Sequence, residues 1–194
     1  MFERFRPLLE KVLSPIAKEL DINPNIITIF SLIIAVIAAV SFALNSLIVG
    51  GVLLFLSGLL DVFDGAIARY HNKVTKFGAF LDSTTDRFSD TLIIIGLLAG
   101  GYTTWVLGVL AIHSSITVSY VRAIAESKGI PCTVGIGERA TRLIILIVGA
   151  FIASYLGKMY MSIAILTLVF LAYITVIQRI VHVWNWTKKQ KFPE

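Results

Sequence analysis

Apolar residues run along this chain in long unbroken blocks and not in short alternating stretches. A helix needs about 20 mostly apolar residues to cross the hydrocarbon layer of a membrane. Six blocks approach that length, at residues 25–44, 47–68, 80–99, 103–123, 142–156 and 159–183. The fifth is the shortest. The breaks between them carry turn residues: Asn45-Ser46, Gly100-Gly101 and Gly157-Lys158. Joins this short fold consecutive helices back on one another as antiparallel hairpins. The first 20 residues follow another pattern. Pro7 and Pro15 interrupt them, and charges alternate with Phe2, Phe5, Leu8, Leu9, Val12 and Leu13. That pattern predicts an amphipathic helix lying on the membrane surface and not a cleaved signal peptide. The expectation is therefore an all-α integral membrane protein, six transmembrane helices preceded by a surface amphipathic helix. It divides into a juxtamembrane amphipathic helix (1–20), one six-helix transmembrane domain (21–186) and a basic tail (187–194).

Composition sharpens this picture. Of 194 residues, 57% are apolar and 15% charged, against about 45–50% and 25% in a typical soluble domain. A single cysteine, Cys132, excludes a disulfide framework and a thiolate zinc site. The net charge of +5, on so apolar a background, points to anionic lipid and not to nucleic acid. Nearly all the basic residues fall on one side. Arg4, Arg6, Lys11 and Lys18, then Arg69, Lys73 and Lys76, then Arg122, Lys128, Arg139 and Arg142, then Arg179, Lys188, Lys189 and Lys191 share it. Lys158 stands alone opposite. The bias of Lys and Arg toward cytoplasmic loops predicts a multi-pass protein of the plasma membrane with both termini and this basic face in the cytoplasm. Trp105, Trp184 and Trp186 sit near span ends, as interfacial aromatics do. His71, His113 and His182 form no ligand set by spacing.

The unusual feature is acid inside apolar blocks. Asp61, Asp64, Asp82, Asp86 and Asp90 lie toward the cytoplasmic ends of the second and third spans. A charged side chain at the bilayer centre costs on the order of 2.5–3.5 kcal/mol on insertion scales, so these acids need partners. Asp61 and Asp64 are three apart, and Asp82 and Asp86 four apart, which places each pair on one helix face. A short connection makes the two helices neighbours, so four carboxylates converge. Arg69 and Arg87 are the local cations. Hard divalent ions such as Mg2+ or Mn2+ favour such oxygen donors, and two of them would balance four carboxylates. Gly65 and Ala68 share the Asp61 face, and Gly78 precedes Asp82 by four. They leave room for a bulky ligand, or else serve close helix packing.

The run Asp61-Val62-Phe63-Asp64-Gly65-Ala66-Ile67-Ala68-Arg69, followed after eight residues by Gly78 and then by Asp82 and Asp86, resembles the signature of the CDP-alcohol phosphotransferase family. The resemblance implies that a phosphatidyl-type group passes from a CDP-linked lipid to an acceptor hydroxyl with release of CMP. It implies two divalent metals (Mg2+ or Mn2+) on Asp61, Asp64, Asp82 and Asp86, with Asp86 as general base. It also implies contacts to the CDP-lipid from Pro24, Asn25, Ile26 and Ile27, with Thr28 just after, and from Gly65, Arg69, Thr75 and Gly78. A homodimer is implied too. A carboxylate held among metal ions is a weak base, so Asp86 would act on a hydroxyl already acidified by the metal.

The segments Ser119–Glu126 and Glu138–Leu143 are similar to those of the phosphatidylinositol phosphate and archaetidylinositol phosphate branch. There the acceptor is inositol 1-phosphate and the donor CDP-diacylglycerol or CDP-archaeol. In that branch basic residues hold the acceptor phosphate, which here implies Arg122, Arg139 and Arg142, with Glu138 orienting one of them. Ile124 departs from the pattern, since the branch carries a second basic residue there. Alternatives are the same chemistry on glycerol 3-phosphate or serine, and a divalent-cation transporter using the acids as an ion site. The gathering of the acids near one side argues against a through-path for ions.

Overall fold

A computed structural model describes residues 22–191, so the expected surface helix at 1–20 lies outside the described residues. Within them the chain is entirely helical between its loops. The helices are α1 (Pro24–Ala43), α2 (Leu47–Tyr70), α3 (Lys76–Ala99), α4 (Trp105–Ser127), α5 (Arg139–Leu156) and α6 (Met159–Lys191). All but α3 are long and apolar enough to cross a membrane. α3 carries the acids and Arg87 in place of part of that apolar run. This is the architecture of a multi-pass membrane protein.

Caps and turns explain where the helices stop. Asn23 caps α1, its side chain accepting from the Asn25 N–H, and Pro24 occupies the first turn, where its missing N–H costs nothing. Thr75 caps α3 by accepting from the Gly78 N–H at 2.9 Å. Asn45 and Asn72 adopt positive φ (63° and 53°) in the turns that follow α1 and α2, a conformation Asn tolerates better than most residues. The helices overrun the apolar blocks at several of their ends. α2 continues to Tyr70, α4 to Ser127 and α6 through the basic tail to Lys191.

α1 packs on α2 and α3, α6 packs on α4 and α5, and the α2–α5 and α3–α4 contacts join the two halves. Between helices in lipid, close approach of small residues replaces the hydrophobic drive. Ser31 and Ser57 exchange hydroxyl-to-carbonyl hydrogen bonds between α1 and α2, at 2.9 and 3.0 Å. A Cβ on Gly96 would stand 2.2 Å from the Ala39 carbonyl oxygen, so α3 meets the α1 backbone there with no side chain between. Gly96→Ala should therefore force the two helices apart and cost about 1–3 kcal/mol. The check is the unfolding temperature in detergent, with Gly58→Ala as a near-neutral control, because that Cβ would meet only Leu143 Cδ1 at 3.5 Å.

At the end of the bundle away from the acids, Lys158 gathers three turns. Its ammonium donates to Asn45 Oδ1 at 2.8 Å and to the Gly100 carbonyl at 3.1 Å, and lies 4.8 Å from the centre of the Tyr102 ring.

Candidate active site

The last turns of α2 carry Asp61 and Asp64, and α3 carries Asp82, Asp86 and Asp90. The helical intervals bring them to one place. Asp61, Asp64 and Asp82 each offer a carboxylate oxygen, and these oxygens lie within 4.8 Å of one another. Asp64 is buried and accepts the Thr28 hydroxyl of α1 at 2.5 Å. Asp86 is turned to the other side of the cluster, where its Oδ1 meets Arg139 Nη2 at 2.9 Å and its Oδ2 stands 3.6 Å from Arg87 Nη1.

Arg139, the first residue of α5, is the main counter-charge. Its Nη1 reaches Asp61 Oδ2 at 2.6 Å, while its Nη2 takes Asp86 and its Nε stands 3.7 Å from Asp90 Oδ1. One guanidinium fork thus joins acids of two helices, a geometry for which its planar set of donors is suited. Arg142 adds a second link, Nη2 to Asp90 Oδ2 at 2.6 Å. To the local candidates Arg69 and Arg87 the fold thus adds counter-charges from far along the chain. Arg87 stands 3.6 Å from Asp86, while Arg139 and Arg142 make their 2.6 Å contacts from a helix about 50–80 residues further on. Like charges this close repel strongly where water is scarce, so arginine reaches in from wherever the fold permits.

A cavity of about 790 Å³ opens beside the cluster. Asp61, Asp82 and Asp86 line it together with Arg122, Arg139, Arg142 and Arg179. The expected acceptor residues therefore share one space, with unequal freedom. Arg122 is half exposed and pairs with Glu126 one turn along at 2.7 Å. Arg142 is 3% exposed and gives Nη1 to the Gly137 carbonyl as well as Nη2 to Asp90. Ile124 is absent from the lining, while Tyr120 belongs to it. Arg179 was not among the expected site residues. It is 2% exposed, and its Nε and Nη1 donate to the Val134 and Val118 carbonyls. The signal for it lay in the sequence, as an arginine placed inside an apolar run next to Ile177 and Ile180.

The residues expected at the CDP-lipid lie on the α1 side of the acids and line none of this cavity. Asn25 Oδ1 and Thr75 Oγ1 would each stand 3.1 Å from a Cβ on Gly78, so the three come together and the glycine keeps the space between them open. Gly65 does the same beside Arg69, whose Nη1 would be 3.2 Å from an added Cβ. Pro24 is buried in the first turn of α1, Ile27 is half-buried and Ile26 is exposed. The acids thus border an arginine-rich cavity, and the glycine-lined patch lies outside its lining. Oxygens gathered this tightly from three carboxylates, all hard donors, suit Mg2+ or Mn2+.

Comparison with known proteins agrees with this arrangement. The sequence pattern of the family described as CDP-alcohol phosphatidyltransferase matches residues 21–186. An archaetidylinositol phosphate synthase of Methanothermobacter thermautotrophicus is 46% identical over 97% of this chain and 96% of its own length. A phosphatidylinositol phosphate synthase of Mycobacteroides abscessus is 34% identical over 90% of this chain and 84% of its own. The crystal structure of Mycobacterium tuberculosis phosphatidylinositol phosphate synthase with CDP-DAG bound superposes with a TM-score of 0.79 at 30% identity. The match covers 90% of this chain and 94% of that one. The same enzyme has been crystallised with manganese and citrate, again with a TM-score of 0.79.

Proposed function

Since this chain belongs to the CDP-alcohol phosphatidyltransferase family, we propose that it moves a phosphatidyl or archaetidyl group from a CDP-linked lipid to a hydroxyl of inositol 1-phosphate, releasing CMP. The observation that carries this reading is that one cavity is lined both by Asp61, Asp82 and Asp86 and by Arg122, Arg139, Arg142 and Arg179. A reaction that joins a diphosphate lipid to a phosphorylated alcohol needs both. Acids hold divalent ions for the diphosphate, and guanidinium groups hold the acceptor's phosphate, which carries close to two negative charges.

Asp61, Asp64, Asp82 and Asp86 would hold two ions, Mg2+ or Mn2+, which when bound neutralise the diphosphate and the charge that grows on the departing CMP. The remaining steps belong to the chain. Asn25, Thr75 and Gly78, with Pro24, Ile26 and Ile27 along the start of α1 and Gly65 and Arg69 on α2, form the nucleotide side. Arg139 and Arg122 take the acceptor phosphate, and Arg142 and Arg179 back them from buried positions. This fixes the acceptor with one hydroxyl toward Asp86. The hydroxyl oxygen attacks the lipid-side phosphorus, its proton passes to an Asp86 carboxylate oxygen, and the bond to the CMP oxygen breaks. Holding both reactants at this spacing removes much of the entropic barrier to a two-substrate reaction.

The same reading makes α3 a sixth span within one membrane domain at 21–186. Both termini and the acid cluster face the cytoplasm, on the strength of the one-sided basic residues. The test is CMP release by the purified protein from CDP-diacylglycerol or CDP-archaeol, with inositol 1-phosphate, glycerol 3-phosphate or serine as acceptor. Release is expected with inositol 1-phosphate and not with the other two. Release only with glycerol 3-phosphate or serine would overturn the acceptor assignment. Divalent flux into proteoliposomes without any CDP-lipid would overturn the enzyme reading itself.

A further inference from the structure

The segment between α4 and α5 carries no regular secondary structure, yet it is fastened along its length. Three side chains of α6, Thr175, Arg179 and His182, are spaced four and three residues apart and so share one helix face. Each binds a backbone group of the segment in turn. The Thr175 hydroxyl oxygen accepts the Gly137 N–H at 2.7 Å, Arg179 Nε donates to the Val134 carbonyl at 2.9 Å, and His182 Nε2 meets the Pro131 carbonyl at 2.9 Å. A carbonyl only accepts, so His182 donates. The partners on the segment, at 137, 134 and 131, are stepped by three and run antiparallel to α6.

Two glycines let the segment lie this close. A Cβ on Gly135, where φ is +132°, would stand 2.3 Å from Thr175 Cγ2, and one on Gly137 would stand 2.7 Å from the Leu171 carbonyl oxygen. On its inner side the segment buries its own Ile130 and Cys132 with Ala125 of α4, and its Val134 and Val183 of α6 pack against them. Alternation along the strap then turns Thr133 outward, where it lines the cavity together with Glu138. Arg139 follows directly as the first residue of α5. The strap is a wall of the arginine-rich cavity, and its far end delivers the guanidinium that reaches Asp61 and Asp86.

We propose that Thr175 and His182, neither of which lines the cavity, are positioning residues for the acceptor. By fixing the backbone at Gly137 and Pro131 they hold the strap, and with it Thr133, Glu138 and Arg139, at the spacing the acceptor needs. The inference rests on the reading of the cavity as the acceptor side.

The experiment compares Thr175→Val and His182→Ala with the conservative Thr175→Ser and His182→Gln, in detergent micelles, by two readouts. The first is the rate at which a water-soluble maleimide labels Cys132, the chain's one thiol, which is fully buried on the strap's inner side. The second is steady-state CMP release, with acceptor and CDP-lipid varied separately. Losing one such hydrogen bond is worth about three- to tenfold in an equilibrium. Cys132 labelling and the acceptor KM should each rise by about that factor in Thr175→Val and His182→Ala. The KM for CDP-lipid and kcat should hold, and the Ser and Gln variants should return both readouts toward wild type. Unchanged labelling, or a rise in both KM values together, would overturn the proposal. The labelling arm uses no substrate, so it decides whether these bonds hold the strap even if the wild-type protein releases no CMP with a phosphorylated acceptor, a result that would fall on the cavity reading instead.

Discussion

Asn in place of Asp82 is expected to lower CMP release by about 10²–10³-fold at a fixed metal concentration, and to shift the divalent requirement upward. Asp82 stands with Asp61 and Asp64 in the tight set of carboxylate oxygens, while the short contacts of Arg139 go to Asp61 and Asp86. Its substitution therefore removes one negative charge from the metal-binding face without stranding a buried guanidinium. Asparagine keeps the shape and one oxygen, so packing of α3 against α1 should survive. The loss is that of one electrostatic contact to a reacting phosphate, a few kcal/mol of barrier. Titration of CMP release with Mg2+ and Mn2+, alongside the unfolding temperature, checks it. Full activity at ordinary metal levels would remove the aspartate cluster from the mechanism. Asp61→Asn should be equally inactive but less stable, because Arg139 then loses its 2.6 Å partner.

The second large effect is expected at Asp86. It lies on the cavity side of the cluster, between Arg139 and Arg87, and outside the tight trio. If it takes the hydroxyl proton, Asp86→Asn should reduce turnover by about 10²–10⁴-fold, the range for loss of a positioned general base. Excess divalent ion should fail to restore it, since Asp61, Asp64 and Asp82 remain to hold metal. Recovery at high metal would make Asp86 only a ligand. Near-normal turnover without added metal would remove it from both roles.

How much of this was readable beforehand follows from the range of each interaction. The hairpins were legible because apolar length and the turns at Asn45-Ser46, Gly100-Gly101 and Gly157-Lys158 are local properties. The meeting of Asp61, Asp64 and Asp82 was legible for the same reason, since helical spacing and one short connection settle it. The helix ends near the acids extend beyond the expected spans, because hydropathy stops where the apolar run stops while backbone hydrogen bonding continues through Ser127 and Lys191. Arg139 was expected at the acceptor, but its hold on Asp61 spans 78 positions and depends on how α5 meets α2, which no local pattern encodes. Arg179 was hidden by its position near a basic tail, where charge reads as an orientation signal. The strap was hidden by its composition, since glycines and small polar residues announce a flexible turn and not the close contact with α6 that those glycines allow.

The long-range ion pairs also impose an order on biosynthesis. Translation delivers Asp61, Asp86 and Asp90 well before Arg139 and Arg142, which follow their partners by 78 and 52 residues in the two shortest pairs. At roughly 5–20 residues per second, the nascent acids wait several seconds, up to about a quarter of a minute, before a guanidinium emerges to meet them. A ribosome stalled between residues 91 and 138 holds a polypeptide with every carboxylate of the acid cluster and neither of the two α5 arginines that pair with them.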